Sequence, residues 1–276
     1  MYFVRIEIIP TFNFFILNGT VSVNKSLYIH LIMINIRKAI KITLLITGIV
    51  IPIAGGAHFV IFPNETRSIL VDFSDLKKEG SIYYNVSTPP GKIDSLKWLI
   101  ANAAVCTTNF WGHLSSFPKF IYCDNEADFK KYCINPTAPA VTYLKLGSVI
   151  VLSADAVDLD IISHEYAHAE FYERIGFWKF NYAIPSWFKH GLAMQNDKRG
   201  YYSEDTLKVK SDNFKNLPDI KSMNSDSKFY DGTREQIMLN YMTAKYVIKK
   251  WYTKEKLSRL INDLSTGKSF QKAYGE

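Results

Sequence analysis

The longest apolar run of the chain covers residues 42–62, ITLLITGIVIPIAGGAHFVIF, which contain no acidic side chain, no Lys and no Arg. A helix of this length crosses about 30 Å of hydrocarbon. Arg37, Lys38 and Lys41 stand directly before the run, and positively charged flanks stay on the cytoplasmic side of a membrane. The pattern predicts a single-pass transmembrane signal anchor with a cytoplasmic N-terminus and a periplasmic or extracellular C-terminal part. A signal peptide cleaved at residues 55–57 and a buried core helix are the alternatives.

Residues 1–32 are apolar without a regular period, and Met33 stands four residues before the basic group that begins at Arg37. We hypothesise that translation starts at Met33 and that residues 1–32 are an upstream extension. The predicted organisation is then an N-terminal cytoplasmic segment at 1–41, the anchor at 42–62 and one exported domain at 63–276.

After the anchor, short strands come before a series of helices. Runs of β-branched and aromatic residues predict strands at 69–73, 119–123, 140–146 and 149–153, the last two as a hairpin. Apolar residues at helical spacing, with capping residues, predict helices at about 93–110, 124–132, 155–176, 185–195, 234–251 and 253–265. Residues 197–232 are polar and turn-rich, which predicts a loop. We expect an α+β fold with a small mixed sheet packed against the helix at 155–176 and a mainly helical C-terminal part.

Composition and charge narrow the possible functions. With 47% hydrophobic and 14% aromatic residues, the chain can form a packed core, which excludes global disorder. The formal net charge is +7, but the Lys and Arg residues are scattered and form no dense basic block. We therefore expect no nucleic-acid partner.

Three cysteines, Cys106, Cys123 and Cys133, lie in the part predicted to be exported. An oxidising compartment permits one disulfide and one free thiol among them. The alternative is that all three are small buried hydrophobic residues. Because the chain contains no CxxC pair, a cysteine-bound zinc site is not expected.

Residues 164–168 read His-Glu-Tyr-Ala-His, an HExxH motif on a predicted helix. Positions i and i+4 of a helix lie one above the other, so His164 and His168 can bind one metal ion. Glu165 projects beside this pair and can reach a water that the metal activates. A catalytic zinc needs a third protein ligand and an open position. The alternative is two ordinary histidines on a surface helix.

His190 is our candidate for the third ligand. A metzincin would need Gly at position 171 and His at position 174, but the chain has Phe171 and Arg174, so that class is excluded. There is no Glu between Glu173 and Glu204, whereas three of the six histidines fall within residues 164–190. Asp197, Glu204 and a helix-surface role for His190 remain as alternatives.

The segments ISHEYAHAEFYERIG and IPSWFKHGLA resemble the gluzincin (thermolysin-like) zinc metallopeptidase superfamily. They are most similar to its small membrane-anchored bacterial branch, whose members read SHExxHA followed by PxWFxEGLA. The resemblance covers about residues 119–276, and the two paired motifs are its specific part. In that branch the Glu of EGLA is the third zinc ligand. His190 stands at this position, which implies either a working site of three histidines or a damaged one.

The resemblance implies a zinc-dependent hydrolase that cleaves a peptide or protein substrate, with Glu165 as general base. Related enzymes often use Tyr or His to stabilise the developing oxyanion, and Tyr241 is the best candidate by position; a packed core tyrosine is the alternative. The strand at 149–153 would pair with an extended substrate if it lay at the sheet margin. The rival function is a catalytically inactive, membrane-tethered binding or scaffold domain.

Overall fold

The computed structural model of the protein describes residues 15–17, 20–22 and 25–275. It divides into two compact units, Met1–Ile61 and Phe62–Glu276. The described part of the first unit contains an antiparallel hairpin and a 37-residue helix, namely β1 (Phe15–Leu17), β2 (Thr20–Ser22) and α1 (Lys25–Ile61).

Within the described residues, α1 is the one helix long and apolar enough to cross a membrane. The qualifying stretch is Ile32–Ile61, with a mean hydropathy of 2.1 and none of it buried. This assignment rests only on the length and composition of the helix, and a signal sequence near an N-terminus has the same two properties. The predicted run at 42–62 coincides with this helix up to Ile61, while Met33 lies inside α1 rather than at its start.

The second unit contains a five-stranded mixed sheet and eleven α-helices among its described residues. In chain order these elements are α2 (Pro63–Ile69), β3 (Lys77–Glu79), β4 (Ile82–Tyr84), α3 (Pro90–Trp111), β5 (Lys119–Tyr122), α4 (Glu126–Tyr132), β6 (Ala140–Leu144), β7 (Ser148–Leu152), α5 (Leu159–Ile175), α6 (Phe177–Tyr182), α7 (Ser186–Ala193), α8 (Glu204–Lys210), α9 (Asp226–Phe229), α10 (Arg234–Trp251), α11 (Lys254–Ser265) and α12 (Phe270–Tyr274). The α+β class with a small mixed sheet is therefore confirmed. The predicted helices at α3, α4, α5, α7, α10 and α11 and the strands β5, β6 and β7 are also confirmed, with ends shifted by a few residues.

The strand order in the sheet is β3-β4-β5-β7-β6. The three inner strands are parallel, and the outer pairs β3–β4 and β6–β7 are antiparallel. Successive side chains of β7 point to opposite faces. Ile150 and Leu152 pack in a cluster with residues of α3 and α5, whereas Val149 and Val151 pack in a cluster with residues of α4. We expected residues 149–153 to pair with a substrate only if they lay at the margin of the sheet. Because β7 is an inner strand, this condition is not met. The margin on this side of the sheet is β6.

The helices after β7 build a second core around α7. Phe188 of α7 is fully buried among residues of α10, α11 and α12. A side chain at Gly191 would place its Cβ 2.5 Å from Cγ1 of Ile248 and 2.8 Å from the carbonyl oxygen of Ala244. The glycine thus allows α7 to lie closely against α10, which fixes the position of the neighbouring His190.

The predicted strand at residues 69–73 is wrong. This segment forms the end of α2 and one 3₁₀ turn, Val71–Phe73. Pro63 at the first helical position favours the helix that precedes it. Val71 is buried in the cluster that contains Val149 and Val151. Tertiary packing therefore outweighs the strand propensity of this short run.

The predicted loop at residues 197–232 contains the short helices α8 and α9 and two 3₁₀ turns. Ser203 accepts a hydrogen bond from the backbone N–H of Thr206, and Ser225 accepts one from that of Lys228. These serines act as N-caps, although in sequence they resemble ordinary turn residues. The prediction of little regular structure is therefore wrong for this segment.

The three cysteines are free thiols. Cys123 and Cys133 are buried in the cluster between the sheet and α4. Burial raises the pKa of Cys123, and it raises the pKa of Cys133 to about 11. The structure thus agrees with the buried-hydrophobe alternative for these two residues, and the permitted disulfide is not present.

Candidate metal centre

Helix α5 is capped at both ends by the residues that flank it in the sequence. The Asp158 carboxylate accepts hydrogen bonds from the backbone N–H groups of Asp160 and Ile161, at 2.8 and 3.1 Å. Gly176 ends the helix with a positive φ of 79°. Between these caps, His164 and His168 lie one turn apart on the same face. Their Nε2 atoms are 3.2 Å from each other.

His190 of α7 completes a cluster with these two histidines. Its ring centroid is 5.1 Å from that of His168, and one ligand atom from each of the three imidazoles lies within 4.8 Å of the other two. All three side chains are buried. Phe229 stacks on His190 at 4.6 Å and an interplanar angle of 27°, which holds that ring in place. The structure thus brings together the three histidines that the sequence indicates as metal ligands.

The electrostatic surroundings keep all three imidazoles neutral. Burial is the largest cause that lowers the pKa of His164, His168 and His190 well below the usual value. The neighbouring histidines lower these pKa values further, because a second positive charge at this spacing is unfavourable. Neutral imidazole is the form that binds a metal ion.

The spacing of His164 and His168 fits two ligands of one tetrahedral metal ion, and the ligand atom of His190 lies within 4.8 Å of theirs. Two nitrogen ligands at 2.0–2.1 Å from such an ion lie about 3.3 Å apart, close to the separation between His164 Nε2 and His168 Nε2. Imidazole nitrogen suits several divalent transition metals. The donor set therefore supports a metal centre, and the choice of zinc belongs to the proposal below.

Glu165 lies next to the histidine cluster and is held by the sheet. Thr142 of β6 donates a hydrogen bond from Oγ1 to Oε2 of Glu165 at 2.5 Å. Burial raises the pKa of Glu165 to about 7, while the Thr142 hydrogen bond and the positive charge of Arg199 act in the opposite direction. The edge strand thus fixes the carboxylate beside the candidate metal ligands.

Two tyrosines border the cluster, and only one of them was expected. Tyr241 of α10 has its ring centroid 5.2 Å from that of His190 and 6.1 Å from that of His164. The Tyr230 hydroxyl lies 3.1 Å from His190 Nε2 and 2.9 Å from the Tyr241 hydroxyl. Burial raises the pKa of both phenols, so both keep their protons at neutral pH. Tyr230 was not predicted as a site residue, because it follows α9 in the segment predicted as a loop.

The outer hydrogen bonds of the cluster are incomplete. Nδ1 of His164 and Nδ1 of His190 are buried, and neither has a hydrogen-bond partner among the described residues. Metal-bound histidines usually donate this second ring N–H to a carboxylate or carbonyl group. Ring stacking and helix packing, rather than such hydrogen bonds, therefore orient His190 in this protein.

The histidines, Glu165 and both tyrosines line one cleft of about 600 Å³. Strand β6 contributes Val141, Thr142 and Leu144 to its wall. This strand pairs only with β7 among the described strands, so its other edge is open to further pairing.

The alternative ligands lie elsewhere. Asp197 is fully buried and forms an ion pair with Arg199. Glu204 pairs with Lys249 at 2.7 Å. Neither carboxylate lines the cleft that contains His164 and His168. Among the described residues, His190 is thus the side chain that joins the HExxH pair.

Comparison of the chain with protein families, with curated proteins and with solved structures yields no match.

Proposed function

We propose that the protein is a zinc-dependent peptidase of the gluzincin type in which His190 occupies the place of the third ligand, a Glu in the relatives that the sequence resembles. The observation that carries this proposal is the convergence of His164, His168 and His190 beside Glu165 in one cleft. Three neutral imidazoles with an adjacent carboxylate suit a hydrolytic zinc centre.

A zinc ion in this place would supply Lewis acidity, by which such ions activate water and polarise carbonyl groups. Glu165 acts as the general base and takes the proton from the attacking water. It then delivers that proton to the leaving amine. The hydrogen bond from Thr142 keeps its carboxylate in position for both transfers.

A peptide is the substrate that suits the wall of the cleft. The open edge of β6 offers backbone N–H and C=O groups to an extended chain, which would add to the sheet as a further strand. Because Thr142 of β6 also binds Glu165, the same strand would hold the substrate and orient the base. This coupling favours an extended peptide over a compact small molecule.

Tyr230 is our choice for the donor that stabilises the oxyanion, in place of Tyr241. The Tyr230 hydroxyl is in hydrogen-bonding distance of a proposed metal ligand, His190. The Tyr241 hydroxyl lies 2.9 Å from it and orients it. Such donors typically contribute two to three orders of magnitude to turnover.

Helix α1 is the proposed membrane anchor, with Arg37, Lys38 and Lys41 on the cytoplasmic side. The peptidase domain then acts in the periplasm or outside the cell. A reporter that is active only after export, fused behind residue 276, should be active. Activity of a cytoplasm-only reporter at the same place would contradict this orientation.

The second candidate function is a non-catalytic, membrane-tethered binding domain. The buried Nδ1 atoms of His164 and His190 favour it, because they lack the acceptors that usually support metal-bound histidines. This alternative needs no base at Glu165, and it therefore predicts that neither wild type nor Glu165→Gln hydrolyses peptides.

The test compares zinc content and hydrolysis of internally quenched peptides for the wild type, Glu165→Gln and Glu173→Gln. Glu173 is an exposed residue of the same helix and serves as the matched control. We expect Glu165→Gln to keep zinc and to lose turnover by about a thousandfold, with the control unchanged. Equal turnover in wild type and Glu165→Gln would contradict the proposal.

A further inference from the structure

Lys189 places an ammonium group in the cleft beside the proposed metal centre. It precedes His190 on α7, and its side chain is 11% exposed. Its partners among the described residues are Oδ1 of Asp226 at 3.9 Å, which is beyond hydrogen-bonding distance, and the ring of Phe180, whose centroid is 5.1 Å from Nζ. The chain thus keeps a largely buried cation with no close hydrogen-bond acceptor.

Asp226 compensates this cation only in part. Its side chain is 63% exposed, so water screens its charge, and its Oδ1 already accepts a hydrogen bond from the Ser186 hydroxyl at 2.5 Å. An ammonium group offers three donors, and a desolvated charge gains most from a partner that binds it directly. Lys189 therefore has free capacity for an anion that enters the cleft.

The other charged groups of the cleft favour the same kind of ligand. Arg234 lines its wall as a second, exposed cation. Arg199 also lines it, but the guanidinium is bound by Asp197. The only carboxylates that line the cleft among the described residues are Glu165, which is assigned to the chemistry, and Asp226. With Arg199 paired to Asp197 and Glu165 assigned to the chemistry, two cations, Lys189 and Arg234, and one carboxylate, Asp226, remain for contact with a substrate.

Lys189 lies at a suitable distance from the chemistry to contact a residue next to the scissile bond. Its Nζ and the Nε2 of His190 are each 3.9 Å from the same oxygen of Asp226, so these two nitrogens are at most about 7.8 Å apart. A carboxylate on a residue flanking the scissile bond lies roughly 5–7 Å from the attacked carbonyl group. The ammonium group is therefore close enough to this proposed metal ligand to meet a carboxylate on a flanking residue of the substrate.

We propose that Lys189 binds a substrate carboxylate adjacent to the scissile bond, so that the preferred substrates are peptides with an acidic group at that place. This inference rests on the proposed peptidase function. The carboxylate is either an Asp or Glu side chain within the peptide or the free C-terminus, since both present two oxygens to the ammonium group.

The test uses full-length protein and a series of end-blocked peptides that carry Glu or Gln at one position at a time on either side of the cleaved bond. A further arm compares a neutral peptide with a free C-terminal carboxylate and the same peptide as an amide. We expect wild type to prefer the acidic member of one pair by about tenfold or more in kcat/KM. The pair that shows the preference identifies the source of the carboxylate.

Lys189→Met should abolish this preference, and Lys189→Gln provides a second neutral variant if the first does not fold. Lys198→Met is the matched control, because Lys198 is exposed and does not line the cleft. It should keep both the preference and the basal turnover. Equal turnover of all paired peptides by wild type, or a preference that survives in the Lys189 variants, would overturn the proposal.

A binding measurement separates this proposal from the peptidase function. Zinc-loaded Glu165→Gln is titrated calorimetrically with each acidic peptide of the series and with its neutral partner, with and without the Lys189→Met change. We expect tighter binding of the acidic peptide by about tenfold, and loss of that difference with Lys189→Met. If wild type hydrolyses no peptide but this difference is found, the peptidase function fails and the role of Lys189 stands. If binding shows no difference, the role of Lys189 is wrong whether or not peptides are cleaved.

Discussion

Two cavities adjoin Arg199 and Tyr202, and their charged groups are arranged in opposite ways. The cleft of about 600 Å³ contains three neutral histidines and Lys189, whose nearest carboxylate is 3.9 Å away. The second cavity has a volume of about 350 Å³, and the ion pairs Arg199–Asp197 and Lys249–Glu204 line it. Groups that already have partners hold the structure together, whereas groups without close partners remain available to a ligand. The contrast agrees with our proposal, which places ligand binding in the cleft and gives the second cavity a structural role.

Breaking the buried ion pair of the second cavity tests its structural role and has the largest expected effect on stability. In Asp197→Asn, Arg199 keeps its charge but loses its partner. We expect the free energy of unfolding to fall by about 3 kcal/mol, because Asp197 is fully buried and Arg199 is 21% exposed. Urea unfolding measures this change in the free energy of unfolding. Glu126→Gln, in an exposed pair with Lys130, should leave the unfolding curve unchanged. A stable Asp197→Asn protein would remove the distinction between the two cavities.

Gly191→Ala tests whether close helix packing positions the cleft. The added Cβ would lie 2.5 Å from Ile248 and 2.8 Å from the Ala244 carbonyl oxygen, so α7 and α10 must move apart. We expect a loss of about 2 kcal/mol in thermal or urea unfolding, together with weaker zinc binding through the displaced His190. Gly91→Ala is the control, since a Cβ at that exposed helical position meets no atom within 4 Å. If Gly191→Ala and Gly91→Ala show the same unfolding free energy and the same zinc affinity, packing at Gly191 does not fix the site.

Tyr230→Phe tests whether the Tyr230 hydroxyl in the cleft contributes to turnover. Removing the hydroxyl next to His190 should lower kcat by at least about tenfold while zinc content stays at the wild-type level. Tyr182→Phe, at a residue that is 74% exposed, should have no effect. A larger loss in Tyr241→Phe than in Tyr230→Phe would show that Tyr241 is the donor, as the sequence alone indicated.

Glu204→Gln has the smallest expected effect. Its ion pair with Lys249 is exposed, and exposed pairs contribute little to stability. We expect unfolding curves and peptide turnover within error of wild type. A marked change in turnover would show that the second cavity takes part in catalysis.

The parts of the site that lie on regular helices could be predicted from the sequence. The spacing of His164 and His168 determines their juxtaposition on any helix, and the scarcity of histidines pointed to His190. Tyr230 could not be found in this way, because one tyrosine among 17 in an apparent loop carries no periodic signal. Its place depends on α9 and on the packing of Phe229 against His190, which are tertiary features.

The fold was predictable to a similar degree. The apolar run of β7 indicated a buried strand, but its position inside the sheet depends on parallel pairing with β5, which no local pattern encodes. The β3–β4 hairpin was missed because β3 is polar and fully exposed. The sequence does contain one indication of this hairpin. Gly80, which has a φ of 62°, stands at a turn before the β-rich segment that starts at Ile82.

The central claim is that His190 serves as a metal ligand together with the HExxH histidines, and zinc stoichiometry tests it most directly. His190→Ala and the control His113→Ala, at an exposed histidine outside the cluster, are purified in parallel with wild type and titrated with zinc against a competing chelator. We expect one tightly bound zinc per chain in wild type and in His113→Ala, and an affinity lower by at least about a hundredfold in His190→Ala. Wild-type zinc affinity in His190→Ala would contradict the claim.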